Sequence, residues 1–242
     1  MQNIKITIEY DGTDFAGWQV QPDKRTVQGV LEHRLAAMLG QPVTRYGSSR
    51  TDAGVHARAQ VANFRTDKEL PLRAYAVGLN TELPRDVAIR SAEVVDEKFH
   101  ARFDATARLY HYQIITERSP LRERFAWPML YKVDPDVLRA LAMKIIGKHD
   151  FQALTCTQAE TDNFVVNVER SEWIIEEGHY TYIIKADRFL HNLVRILVGT
   201  MIDMARGYID PNEFDAILAS KDRTRGGRTA LPQGLCLMDV FY

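Results

Sequence analysis

Between Leu193 and Gly199 the chain reads Leu-Val-Arg-Ile-Leu-Val-Gly, apolar on nearly every side of a helix. A helix without a polar face is a buried helix, so the rest of the chain must surround it with sheet or other helices. Arg195 sits in the middle of this stretch. A guanidinium does not shed its proton, and burying one without a partner is costly. The fold therefore has to bring it an acid or a way out. Asp52, a lone acid in a tight loop, is one candidate; a side chain that reaches the surface, or a pairing with Asp203, are the others.

The material that surrounds this helix is legible in the alternations. Ile4, Ile6, Ile8 and Tyr10 fall on one face of a strand and Lys5, Thr7 and Glu9 on the other, the period of two of a half-buried strand. Asp11-Gly12 ends it and opens a loop reaching Pro22-Asp23. A helix from about Thr26 carries Val27, Val30, Leu31, Leu35 and Met38 in a stripe. Residues 43–48 and 59–65 read as strands around a tight polar loop, 72–79 as a helix and 87–95 as a strand. That order, β-α-β-β-α-β, is the ferredoxin-like one.

From about Ala107 a second set begins. Residues 108–115 alternate, with Arg108, Tyr110, Tyr112 and Ile114 on one face. Asp134-Pro135 opens and Gly147 closes a helix through Val137, Leu138, Leu141, Ile145 and Ile146, the punctuation expected of acceptor, first-turn and exit residues. Strands at 164–176 and 179–186 flank Glu177-Gly178, and a long helix runs from about Phe189 to Arg206. Asp210-Pro211-Asn212-Glu213 resembles a capping box for a last short helix, and 235–241 is a closing strand. The expected class is α+β, with two similar ferredoxin-like (RRM-like) domains, 1–105 and 106–242, forming a central cleft.

Two cysteines far apart, Cys156 and Cys236, argue for a reducing compartment. The longest apolar run is shorter than a membrane span requires, and the opening strand leaves no signal peptide, so a soluble cytoplasmic protein is expected. A net charge of −1 does not announce a polyanionic partner, but phosphate binding depends on where charge is concentrated. Lys221, Arg223, Arg225 and Arg228 form one basic group and Arg118, Arg122 and Arg124 another. Taken alone, each reads equally well as a solvated loop.

The loop Ser48-Ser49-Arg50-Thr51-Asp52-Ala53-Gly54-Val55-His56-Ala57 lies between two of the strands. On spacing alone it is a structural turn, since Asp before Ala-Gly is common turn chemistry. The need of Arg195 for a carboxylate points the other way. Gly54 is expected to take a turn geometry that a Cβ would oppose.

The string Arg50-Thr51-Asp52-Ala53-Gly54-Val55-His56 resembles the signature of the tRNA pseudouridine synthase A family. Tyr10 to Gln19 with Thr26-Val27-Gln28 and Leu31-Glu32 is similar to its N-terminal block, and Arg108 to Tyr112 to its central strand. Phe189 to Arg195 with Gly199 is similar to its long helix, and Gly234-Leu235 to its closing strand. The blocks fall in family order along nearly the whole chain. Leu193, Leu231 and Cys236 depart from the usual residues, at no presumed catalytic group.

The resemblance implies an isomerase that converts uridine to pseudouridine at positions 38, 39 and 40 of the tRNA anticodon stem-loop, as a homodimer. Neither cofactor nor metal is implied. By the same resemblance Asp52 is the essential nucleophile, Arg195 holds it, and Tyr110 packs on the uracil and serves in proton transfer. Arg50, Thr51, Gly54, Val55 and His56 join Tyr110 as uridine-binding residues, Thr51 and His56 by shaping the loop. Arg50 is expected to fill the space left by the flipped nucleotide. Arg50, Arg102, Lys185 and the two basic groups are candidates for phosphate contact. The competing readings are a non-catalytic RNA-binding protein with tandem RRM-like domains, which leaves Asp52 without a task, and an Asp-nucleophile hydrolase, which lacks the second carboxylate.

Overall fold

The structure, a computed structural model, describes residues 1–43, 45–157 and 161–242. In chain order the elements are β1 (Gln2–Tyr10), α1 (Val27–Leu39), β2 (Arg45–Gly47), β3 (His56–Thr66), α2 (Leu79–Glu82), β4 (Val87–Val95), β5 (Ala107–Ile115), β6 (Trp127–Pro128), α3 (Pro135–Lys144), β7 (Gly147–Asp150), β8 (Val165–Glu176), β9 (His179–Ala186), α4 (Leu193–Ala205), α5 (Phe214–Ser220) and β10 (Leu235–Phe241). Mixed strands and helices make this an α+β protein. It divides into two compact units, Met1–Thr106 with Cys236–Tyr242, and Ala107–Leu235. The expected second domain ran to 242. The closing strand instead belongs to the first unit, because β10 pairs in parallel with β3 through Cys236↔His56 and Leu237↔Ala57.

In the first unit β1 lies between β3 and β4, antiparallel to both, and β2 pairs antiparallel with β3. The order β4-β1-β3-β2 is that of a split β-α-β pair. Ile4, Ile6, Ile8 and Tyr10 are buried as their alternation required. Helix α1 starts where Thr26 accepts from the Gly29 N–H, and ends at Gly40, whose positive φ gives the left-handed exit. Its buried stripe is Val27, Leu31, Leu35 and Leu39. Leu39, not Met38, completes it, since steps of four keep one side chain above the next. The helix expected over 72–79 runs on to 82, through a wide π-type turn at Ala74–Gly78. There Tyr75 is buried with its ring edge on Phe64, centroids 5.5 Å apart. Position 44 of the strand expected over 43–48 lies outside the described residues; β2 covers Arg45–Gly47.

The second unit repeats the succession strand, helix, hairpin. Here β5 pairs with β9, β9 with β8 and β8 with β7, all antiparallel, and β6 adds a short parallel edge to β5. The face Arg108, Tyr110, Tyr112 and Ile114 is buried as read. Asp134 accepts from the N–H groups of Asp136 and Val137, with Pro135 in the first turn of α3. Asp210 caps a single 3-10 turn that leads into α5. The long helix begins later than expected, at Leu193 instead of Phe189, because Asn192 takes a left-handed φ of 63°. Asn is one of the few residues that visits that region at low cost. Twelve of the thirteen residues of α4 are buried, Arg195 being the exception.

Candidate active site

Asp52 stands in the middle of the eight-residue loop 48–55, which connects β2 to β3. Strand β3 starts three residues earlier than expected, so His56 is the first strand residue. The loop is held from below by Gln60, which is fully buried. Its Oε1 accepts from the Ser48 hydroxyl at 2.7 Å and the Ser49 N–H at 3.3 Å, and its Nε2 donates to the Ser49 carbonyl at 2.7 Å.

On its other side the loop is bracketed by residues 10–18. The Tyr10 and Thr51 hydroxyls lie 2.6 Å apart, both buried. Trp18 N–H donates to the Thr51 carbonyl at 3.0 Å and Gly54 N–H to the Phe15 carbonyl at 3.3 Å. Gly12 N–H donates to His56 Nδ1 at 3.0 Å, and the Asp11 carboxylate lies 3.2 Å from the same nitrogen. The approach is close enough to require glycine: a Cβ on Gly12 would stand 2.0 Å from the Val55 carbonyl oxygen. Gly54 adopts a φ of 77°, the turn geometry expected of it. Val55 N–H closes the turn on the Asp52 carbonyl at 3.2 Å.

The bracket is itself anchored. Arg25 forms two hydrogen bonds to Asp86, at 2.8 and 2.9 Å, and its guanidinium lies 3.9 Å from the centre of the Phe15 ring. The hydrogen bonds to Asp86 push the Arg25 pKa above its ordinary value. Asp52 therefore projects from a backbone fixed on both sides, with its side chain half-buried, while Arg50 beside it is exposed.

In the second unit, Arg195 is held by a returning segment, residues 226–230. Its Nε donates to the Ala230 carbonyl at 2.9 Å, and Ala230 N–H donates to the Arg195 carbonyl at 3.0 Å. Its Nη1 donates to Asn192 Oδ1 at 2.7 Å. The plane of the guanidinium is thereby set at two nitrogens. The alternative pairing with Asp203 does not form. Two turns of helix separate the two residues by about 12 Å along the axis, and Asp203 is taken by Arg228, through its backbone N–H and its Nε, both at 3.0 Å. Tyr110, on β5, is buried with its ring edge-on to Phe189 at 4.9 Å. Tyr112, two residues on, is a core residue: its hydroxyl donates to the Leu231 carbonyl, and burial holds its pKa well above the ordinary value.

The structure thus gathers Arg50, Thr51, Asp52, Gly54 and Val55 into one loop of the first unit, with His56 opening the strand that follows, and places Tyr110 and Arg195 in the second. Sequence reasoning missed Tyr10, Gln60, Trp18 and Ala230 as the supports of these groups. Only Tyr10 carried a signal: a hydroxyl at the end of a row of isoleucines needs a partner.

The basic groups carry less available charge than their sequence indicates. Arg118 pairs with Glu123, Lys221 with Asp150, Arg225 with Glu213, Arg228 with Asp203 and Lys185 with Glu169. No helix among the described residues is long and apolar enough to cross a membrane.

A family model described as tRNA pseudouridine synthase matches residues 6–104 and 141–242. A tRNA pseudouridine synthase A of Geobacter sp. (strain M21) is 45% identical over 100% of this chain and 99% of its own length. Proteins of the same name from Citrifermentans bemidjiense and Geotalea uraniireducens are 45% and 42% identical, covering 98% and 100% of their lengths. Among solved structures, a chain from the crystal structure of a Cbf5-Nop10-Gar1 complex covers 96% of this chain at a TM-score of 0.41 and 9% identity. The chain belongs to the tRNA pseudouridine synthase family. It is accordingly an enzyme, an isomerase that makes pseudouridine in tRNA, and the passive RNA-binding and hydrolase readings are set aside.

Proposed function

We propose that this enzyme isomerises uridine at positions 38, 39 and 40 of the anticodon stem-loop, with Asp52 as its catalytic nucleophile. The observation that carries the reading is the loop itself: a carboxylate presented from a backbone immobilised by Gln60 on one side and residues 10–18 on the other. A fixed nucleophile has already given up the freedom that a reaction would otherwise cost. In the reaction the N1–C1′ bond breaks, the uracil turns while bound, C5 bonds to C1′, the hydrogen on C5 leaves to solvent as a proton, and N1 takes up a proton in its place. Asp52 acts either by adding to C6 of the ring or by assisting departure of the base at the sugar.

Arg195 is the partner that holds the ionised Asp52 by charge-assisted hydrogen bonds, and its set guanidinium plane suits that task. Tyr110 packs on the turning uracil and moves the C5 proton. Arg50, exposed beside Asp52, fills the stack vacated by the flipped nucleotide, while Thr51, Gly54, Val55 and His56 shape the walls around the base. Arg102, Lys185 and the two basic groups contact phosphates, a homodimer provides the two surfaces a tRNA spans, and the cytoplasm is the compartment.

The test is tritium release from tRNA labelled at uridine C5. Wild type releases it and Asp52→Ala does not. Release by Asp52→Ala at the full rate removes Asp52 from the chemistry. Full activity on a tRNA whose only uridines in that arm lie outside positions 38–40 removes the positional assignment.

A further inference from the structure

The hydroxyl pair beneath the loop has a use beyond filling space. Tyr10 ends β1 with its ring buried and tilted against Trp18, centroids 6.2 Å apart. Trp18 lies in turn on Gly47, where a Cβ would stand 2.5 Å from the indole. The Tyr10 hydroxyl reaches Thr51 Oγ1 at 2.6 Å. Thr51 is the residue directly before Asp52. It is gripped twice, at its side chain by Tyr10 and at its carbonyl by the Trp18 N–H at 3.0 Å. That carbonyl belongs to the Thr51–Asp52 peptide, whose plane sets the direction in which the Asp52 side chain leaves the backbone. Gripping both ends of one residue fixes that plane, whereas the Trp18 bond alone would leave it a hinge.

We propose that Tyr10, acting through Thr51, is a positioning residue for the isomerisation, its hydroxyl aiming the Asp52 carboxylate at the base. This rests on the reading of Asp52 as the catalytic carboxylate. Tyr10 touches neither substrate nor reacting atoms in this account, so its loss appears in kcat and leaves the binding of tRNA alone. A misdirection of about 1 Å at a reacting group costs up to about a hundredfold in rate.

The experiment uses the full-length enzyme and C5-tritiated tRNA, with kcat, KM and far-ultraviolet dichroism measured for each variant. Tyr10→Phe removes one hydroxyl and keeps the ring. It is expected to lower kcat by roughly ten- to a hundredfold with KM within about threefold of wild type. Thr51→Val, the isosteric change at the other end, is expected to match it. Thr51→Ser, which keeps the hydroxyl, is expected to restore most of the rate. The double variant Tyr10→Phe/Thr51→Val is expected to be no slower than either single one, because both remove the same bond.

Wild-type kcat in Tyr10→Phe overturns the proposal, as does a rise in KM with kcat unmoved or a double variant whose losses multiply. If Tyr10→Phe does not fold, Thr51→Val against Thr51→Ser decides by the same readouts. Asp52→Ala, measured alongside, separates the two readings. Full turnover in that variant overturns the catalytic assignment, whereas loss there with an unchanged Tyr10→Phe overturns only the positioning role.

Discussion

Gly199 sits in α4 one turn past Arg195, and its replacement by Ala sets two physical effects against each other with opposite signs. Inside a helix, Ala is favoured over Gly by about 1 kcal/mol, so a helix that were merely packed would gain. Here a Cβ would stand 1.9 Å from the carbonyl oxygen of Arg228 and 2.9 Å from its carbon. Both are backbone atoms and cannot swing aside. The returning segment would have to retreat by roughly 1.5 Å to regain ordinary contact.

That segment is tied to α4 by the Gly227 N–H on Thr200 Oγ1 at 2.9 Å and the Arg228 N–H on Asp203 at 3.0 Å. The reciprocal Arg195–Ala230 pair, at 2.9 and 3.0 Å, adds two more ties. Bonds of this length do not survive such a displacement, and each contributes about 1 kcal/mol, more where a charge takes part. Losing all four against the helix gain leaves Gly199→Ala about 3 kcal/mol less stable. For a chain of this size that lowers Tm by about 6–12 °C. Thermal unfolding followed by circular dichroism measures it. An unchanged or raised Tm would mean that helix propensity governs the site and that the segment gives way freely, the opposite of what the close approach requires. On the role proposed for Arg195, loss of its set plane should lower the rate in the tritium assay further than the affinity for tRNA.

Other expectations follow from single contacts. Asp134→Ala removes the acceptor for two free N–H groups of α3 and should cost about 1 kcal/mol in denaturant unfolding, with turnover unchanged. Burial raises the pKa of Tyr112 and Tyr182 above the phenol range, so their neutral forms stabilise the fold below the unfolded pKa of about 10 and that contribution is lost as pH rises beyond it. An alkaline titration followed at the phenolate absorbance should show both ionising only as the protein unfolds; early, reversible ionisation of all ten tyrosines would count against their burial. Burial pushes the Cys236 thiol up to about 12, so at pH 8 about one molecule in ten thousand carries the thiolate, against about a quarter for an ordinary cysteine. Iodoacetamide should therefore leave Cys236 unmodified in the native enzyme, as read by peptide mass spectrometry.

Local patterns carried the elements and failed where distant partners decided. The alternation of Ile4, Ile6, Ile8 and Tyr10, the Asp134-Pro135 cap and the Gly178 hairpin are each written in a few adjacent residues, and each appears as read. The start of β3 was not legible, because His56 and Ala57 become strand by pairing with Cys236 and Leu237 and, for Ala57, with Tyr10, all distant in sequence. Strands β6 and β7, of two and four residues, are likewise made by their neighbours. The late start of α4 depends on one left-handed Asn that no periodicity announces. The basic group at 221–228 looked available because its acids, Asp150, Asp203 and Glu213, stand elsewhere in the chain. At the site, the loop and its resemblance were visible, while what holds the loop, Tyr10 and Gln60, and what holds Arg195, the 226–230 segment, were hidden among ordinary core and loop residues.

The parallel pairing of β10 with β3 has a bearing on how the enzyme comes into being. The first unit is made almost at once by a ribosome, yet the strip that seals the edge of β3, beside His56, is translated only after all of the second unit has emerged. Until then the nascent sheet exposes unpaired amides at the very strand that follows the Asp52 loop, an edge open to wrong partners. A chain cut short at 234 would leave the Asp52 loop leading into an unfinished strand.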